Sequence, residues 1–90
     1  MVLVSGGSRG IGRALAEGYA ARGAQVVITG REENTLAQAA RGISGETPVQ
    51  HVVCDVAKVD DIRQLVQTVV ARCGRIDTLV NVAGVNKRKK

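Results

Sequence analysis

Short runs of β-branched residues alternate with helical periods along almost the whole chain, which predicts successive βαβ units. Met1 to Ser5 reads as a first strand. Beyond a glycine-rich turn, Ile11, Ala14, Leu15 and Gly18 recur at i, i+3, i+4, i+7, the stripe of a helix burying one face. Arg22-Gly23 then supplies a cationic last turn and a left-handed stop. Ala24 to Thr29 (AQVVIT) predicts the second strand, and Leu36, Ala39, Ala40 and Ile43 give the next helix its stripe before Gly42 and Gly45. Pro48 heads a third strand, Val49 to Val53, where its missing N–H costs least. In the third helix Ile62, Leu65, Val66, Val69, Val70 and Cys73 fall on one face, with Asp60 and Asp61 at the positive end and Gly74 after the last turn. Ile76 to Val82 (IDTLVNV) completes the series as a fourth strand.

Right-handed crossovers place these strands in the order 3-2-1-4, with three helices: a partial α/β doubly wound parallel sheet. The pattern gives one unit over residues 1–86 and a basic tail over 87–90. Ninety residues bury only about 60–65% of the surface their unfolded chain exposes, so the stability margin is thin.

Composition narrows the function classes. The net charge is +5, but Lys87, Arg88, Lys89 and Lys90 supply four of those charges and leave +1 for the rest. The basicity belongs to the tail, and with one aromatic residue, Tyr19, there is no stacking platform for nucleic acid. No specific nucleic-acid partner is expected. Cys54 and Cys73 lie in apolar runs without CxxC spacing and read as reduced, buried side chains, and His51 reads as structural. No metal site is expected. No stretch reaches the ~20 apolar residues of a membrane span, so the default is a soluble cytoplasmic protein.

The candidate chemistry sits between the first strand and first helix, in Ser5-Gly6-Gly7-Ser8-Arg9-Gly10-Ile11-Gly12. Glycine belongs there because a Cβ blocks either the tight turn or close approach of a ligand to the backbone. The helix that follows offers free N–H groups and a positive dipole end, both suited to phosphate. A strand before the loop and a periodic helix after it are the contexts in which such a pattern predicts dinucleotide binding.

This spacing resembles the TGxxxGxG of the short-chain dehydrogenase/reductase family, with Ser5 in place of Thr. Gly30-Arg31 closing the second strand, Cys54-Asp55-Val56 after the third, and Asn81-Val82-Ala83-Gly84 after the fourth extend the likeness over nearly the whole chain. The resemblance implies a Rossmann-like fold and cofactor contacts from Gly6, Ser8, Arg9, Gly10, Ile11 and Gly12. It also implies that Asp55 and Val56 meet the adenine, and that Asn81, Ala83 and Gly84 pack beside the cofactor. The alternative for Asp55 is a turn or cap residue. Val82 stands where the family's NNAG has its second Asn, which removes a polar side chain there.

NAD-binding folds of this kind place Asp or Glu at the end of the second strand to hold the ribose 2′-hydroxyl. Gly30 occupies that place. Arg31 and Arg9 are the cations that resemblance to NADP-preferring members, such as 3-oxoacyl-[acyl-carrier-protein] reductases, puts beside the 2′-phosphate; guanidinium grips phosphate bidentately. NADP is the expected cofactor and NAD the alternative. Glu32 and Glu33 follow at once and are able to pair with Arg31 or offset its field.

Family chemistry is hydride transfer between nicotinamide and a carbonyl or secondary alcohol, using a Ser and a Tyr-x-x-x-Lys pair. Tyr19 is the only tyrosine and Gly23 stands four residues on, so no catalytic residue is named. The expectation is the NADP(H)-binding portion of a longer oxidoreductase whose catalytic half is absent from this chain. The alternative is a non-catalytic dinucleotide-binding or interaction fragment. The fourth strand would leave an open edge through which a homo-oligomer forms.

Overall fold

The two central strands are continuous apolar runs because helices cover the sheet on both faces. In the computed structural model, which describes residues 1–6, 10–45, 47–55 and 57–82, β1 (Val2–Ser5) is buried at every position. Four positions of β2 (Val26–Gly30) are buried likewise. The outer strands, β3 (Gln50–Val53) and β4 (Thr78–Asn81), are partly exposed. All pairings are parallel, in the order β3-β2-β1-β4.

Strand alternation sorts the core into two layers. Val2, Val4, Val26 and Ile28 meet Ala16 and Ala20 of α1 (Gly10–Ala21) and Leu36, Ala39 and Ala40 of α2 (Glu33–Gly42) on one face. Leu3 and Val27 meet Leu65 and Val69 of α3 (Val59–Cys73) on the other. Burying one Val or Ile side chain contributes about 1.5–3 kcal/mol, so these layers supply most of the stabilisation available to so short a chain.

The helix ends are set by local backbone chemistry. Past α1, Gly23 takes φ 86°, its N–H donates to the Ala20 carbonyl, and the Ala24 N–H donates to that of Tyr19, the paired bonds of a Schellman stop. Arg22 lies just beyond α1, so the expected cationic last turn is not part of the helix. Gly74 closes α3 at φ 89°, its N–H on the Val70 carbonyl. Asp60 and Asp61 stand in the first turn of α3 as expected.

Two stripes differ from expectation. On α1 the buried residues are Gly12, Ala16 and Ala20, whereas Ile11 and Leu15 are 63% and 38% exposed. Small side chains face the sheet because they let the helix axis come close to β1 and β2. On α3 only Leu65 and Val69 are buried, while Ile62, Val66 and Val70 are about two-fifths exposed. The apolar arc of α3 is wider than the strip of sheet beneath it. In α2 the expected Leu36, Ala39 and Ala40 are buried, and Ile43, buried as well, stands just past the helix as its extended C-cap.

Candidate functional site

Parallel register brings those sequence-predicted residues that the structure describes to one edge of the sheet. Ser5 pairs with Thr29 on one side and Asn81 on the other, and Gly30 pairs with Val53, so all four strands end together. The Gly6 N–H donates to the Thr29 carbonyl, that of Cys54 to Gly30, and that of Val82 to Ser5, tying each exit loop to its neighbour. The chain runs from β1 outward to β2 and β3 on one side and crosses back through α3 to β4 on the other, so the order reverses at β1, and the crevice at its carboxyl end is the place where such folds bind ligands.

Two glycines shape the first exit. Gly6 has φ 85° and Gly10, the first residue of α1, has φ 63°. A Cβ on Gly10 would meet nothing within 4 Å, so the left-handed backbone rather than crowding demands glycine there. Ile11 follows, a large apolar side chain left exposed at the mouth of the crevice. Gly12 is buried and holds α1 down on the sheet.

At the second exit, a Cβ on Gly30 would lie 3.6 Å from Leu36, an ordinary contact. Arg31 is exposed, and no carboxylate among the described residues lies within 4.0 Å of its guanidinium. The neighbouring Glu33 is turned instead to His51, with 2.8 Å between Oε2 and Nε2. This pair, eighteen residues apart, was not legible in the sequence, because it depends on how α2 lies across β3.

At the third exit Asp55 is both placed at the sheet edge and used in a turn. Its Oδ1 accepts from the Ala57 N–H at 3.0 Å, its carbonyl accepts from the Lys58 N–H, and its own N–H donates to Asp61 Oδ2 at 3.1 Å. The turn role weighed from the sequence is therefore present, and it fixes the carboxylate at the start of α3. Cys54 beside it is buried, and desolvation pushes its thiol above the ordinary value; Asp61 adds to the rise, a Thr29 hydrogen bond opposes it, and Asp55 adds a little more. Cys73 is only half-buried, its Sγ accepting from Gln25 Nε2 at 3.3 Å.

At the fourth exit Asn81 is exposed and Val82 is buried in the core with Val2, Val4 and Ile28. The residue that departs from the family motif thus serves packing. Ser8, Arg9, Val56, Ala83 and Gly84 lie outside the described residues, as does the tail 87–90. Tyr19 packs against the core from the last turn of α1, at the opposite end from the glycine loop. Among the described residues no cluster of three or more His, Cys, Asp or Glu could hold a metal, and no helix is long and apolar enough to cross a membrane.

The family model described as short chain dehydrogenase matches residues 1–90. Carbonyl reductase family member 4 of Danio rerio is 36% identical over 97% of this chain, and 11-beta-hydroxysteroid dehydrogenase 1A of Arabidopsis thaliana is 43% identical over 97%. The chain spans 36% and 26% of their respective lengths. The crystal structure of L-sorbose reductase from Gluconobacter frateurii, complexed with NADPH and L-sorbose, superposes with a TM-score of 0.89 at 35% identity over 99% of this chain and 35% of its own. Glycine loop, strand order and matched relatives agree, and the chain belongs to the short-chain dehydrogenase family.

Proposed function

We propose that this chain is the NADP(H)-binding portion of an oxidoreductase that moves hydride between the nicotinamide and a carbonyl or secondary alcohol. The observation that carries the reading is Gly30-Arg31 at the end of β2: glycine stands where an NAD-binding acid would be, and the arginine beside it has no described carboxylate partner. The L-sorbose reductase complex with NADPH supports it by likeness of fold.

The residues present fit such a cofactor. The left-handed backbones of Gly6 and Gly10 would let a pyrophosphate approach closely, and the first N–H groups of α1 would donate to it. Ile11 offers an apolar contact at the crevice mouth, Arg31 a bidentate grip on a 2′-phosphate, and Asp55 Oδ2 an acceptor for an adenine amine. Asn81 borders the crevice at the end of β4, and in the same reading Ser8, Arg9, Val56, Ala83 and Gly84 would add the contacts that their motifs imply. When bound, the cofactor supplies the hydride. The part played by this chain is to bind and orient it; Tyr19, partly buried against the core at the far end of α1, lies away from the crevice.

The edge strand β4 would support self-association in the same reading. Leu79, level with Leu3 on the α3 face of the sheet, is 64% exposed, and Ile62, Val66 and Val70 of α3 present further apolar surface.

Fluorescence titration of NADPH and NADH tests the proposal. Tighter NADPH binding that weakens more steeply with salt than NADH binding is expected, since the extra phosphate is held by charge. Equal affinities would remove the NADP assignment, and no binding of either would overturn the reading.

A further inference from the structure

Outside the crevice, an open groove of about 470 Å³ runs along β3, lined by Glu33, Gln50, His51, Val52, Val53 and Arg72. Its ionisable members come from three elements: Glu33 from the first turn of α2, His51 from β3 and Arg72 from the last turn of α3. Within it the Glu33 carboxylate meets His51 Nε2 at 2.8 Å. An ionised carboxylate only accepts, so Nε2 carries the hydrogen and donates it.

Glu33 is two residues from Arg31, and released from β3 its carboxylate has the tether length to reach that guanidinium. Bound to His51, it does not come within 4.0 Å of it. We infer that His51 is a positioning residue for cofactor choice: by holding Glu33 against β3 it keeps Arg31 free for the 2′-phosphate and keeps a negative charge off that phosphate. The inference rests on the NADP reading above and adds a residue remote from the glycine loop to it. A surface pair of this kind contributes little to stability, but a carboxylate moved to within several ångströms of a phosphate changes its binding several-fold.

Adenosine 2′,5′-bisphosphate and 5′-AMP, which differ only in the 2′-phosphate, isolate the effect when titrated against the full chain. His51→Ala is expected to lower the bisphosphate-to-AMP affinity ratio about three- to tenfold. His51→Gln, which keeps an N–H donor, should restore most of it. In a Glu33→Gln background, His51→Ala should leave the ratio unchanged, because no carboxylate remains to be released. Equal losses for both nucleotides, or the same fall of the ratio in the Glu33→Gln background, would overturn the inference. Arg31→Ala separates the two levels: a ratio insensitive to Arg31 sinks the NADP reading, whereas a ratio that collapses with Arg31→Ala but ignores His51 sinks this inference alone.

Discussion

Gly45 sits so close to the end of α1 that a Cβ built on it would lie 2.8 Å from the carbonyl oxygen of Ala20 and 3.0 Å from its Cβ. The loop after α2 therefore closes on α1 only with glycine at this position, and the obstacle is backbone, which cannot swing aside. Gly45→Ala is expected to destabilise the chain by roughly 1–3 kcal/mol, the usual cost of forcing an extra carbon into a packed contact. Urea unfolding of the two proteins checks this, and an unchanged midpoint would show that the loop moves freely.

Cys54 is 1% exposed and Cys73 half-buried, and burial with Asp61 nearby pushes the Cys54 thiol up. Thiolate is the reactive form, so burial and the raised thiol both disfavour Cys54, while Cys73 is the more exposed. Under native conditions a thiol reagent should modify Cys73 first, with Cys54 reacting at the rate at which the α3 layer opens. Mass-resolved labelling over time reads the order directly; simultaneous modification would mean the layer is already loose.

Asp77 accepts a hydrogen bond from Arg75 Nε at 2.6 Å and one from the Met1 ammonium at 2.6 Å, and these partners, Arg75 first, hold its carboxyl down to about 2 from the usual 3.8. A carboxyl depressed in the folded state contributes stability above the unfolded value and loses it as pH falls through the folded one. The stability difference between the parent and Asp77→Asn should thus be constant above about pH 4 and shrink between pH 4 and pH 2. A difference that does not change across that window would show that the pairing is not electrostatic.

Much of this architecture was readable from residue pattern. Strand order followed from short β-branched runs separated by helical periods, and the α2 stripe followed from Leu36, Ala39 and Ala40, whose spacing has a single interpretation. The faces of α1 and α3 did not follow. Hydrophobicity favours Ile11 and Leu15, but close approach to a sheet favours Gly12, Ala16 and Ala20, and only the packed structure decides between size and apolarity. At the site, Gly6, Gly10, Gly30, Asp55 and Asn81 lie at the carboxyl edge of the sheet, because parallel register aligns the strand ends from which they follow. The engagement of Glu33 with His51 and of Asp77 with Met1 was hidden, since each joins residues distant in the chain.

Cofactor choice is the centre of the account, and the space around Gly30 makes it testable: its backbone is not left-handed and a Cβ there meets only Leu36 at 3.6 Å, an ordinary contact, so a side chain can be introduced at this position. Parallel titrations of NADPH and NADH against the parent, Arg31→Ala and Gly30→Asp measure the preference directly. A charge-assisted contact contributes about 1.5–3 kcal/mol, so Arg31→Ala should weaken NADPH by about one to two orders of magnitude while leaving NADH nearly unchanged. Gly30→Asp should invert the preference, because a carboxylate accepts from the free ribose hydroxyl and repels the phosphate. Equal losses of NADPH and NADH on Arg31→Ala, with no inversion by Gly30→Asp, would contradict the assignment of the β2 terminus to the 2′-phosphate.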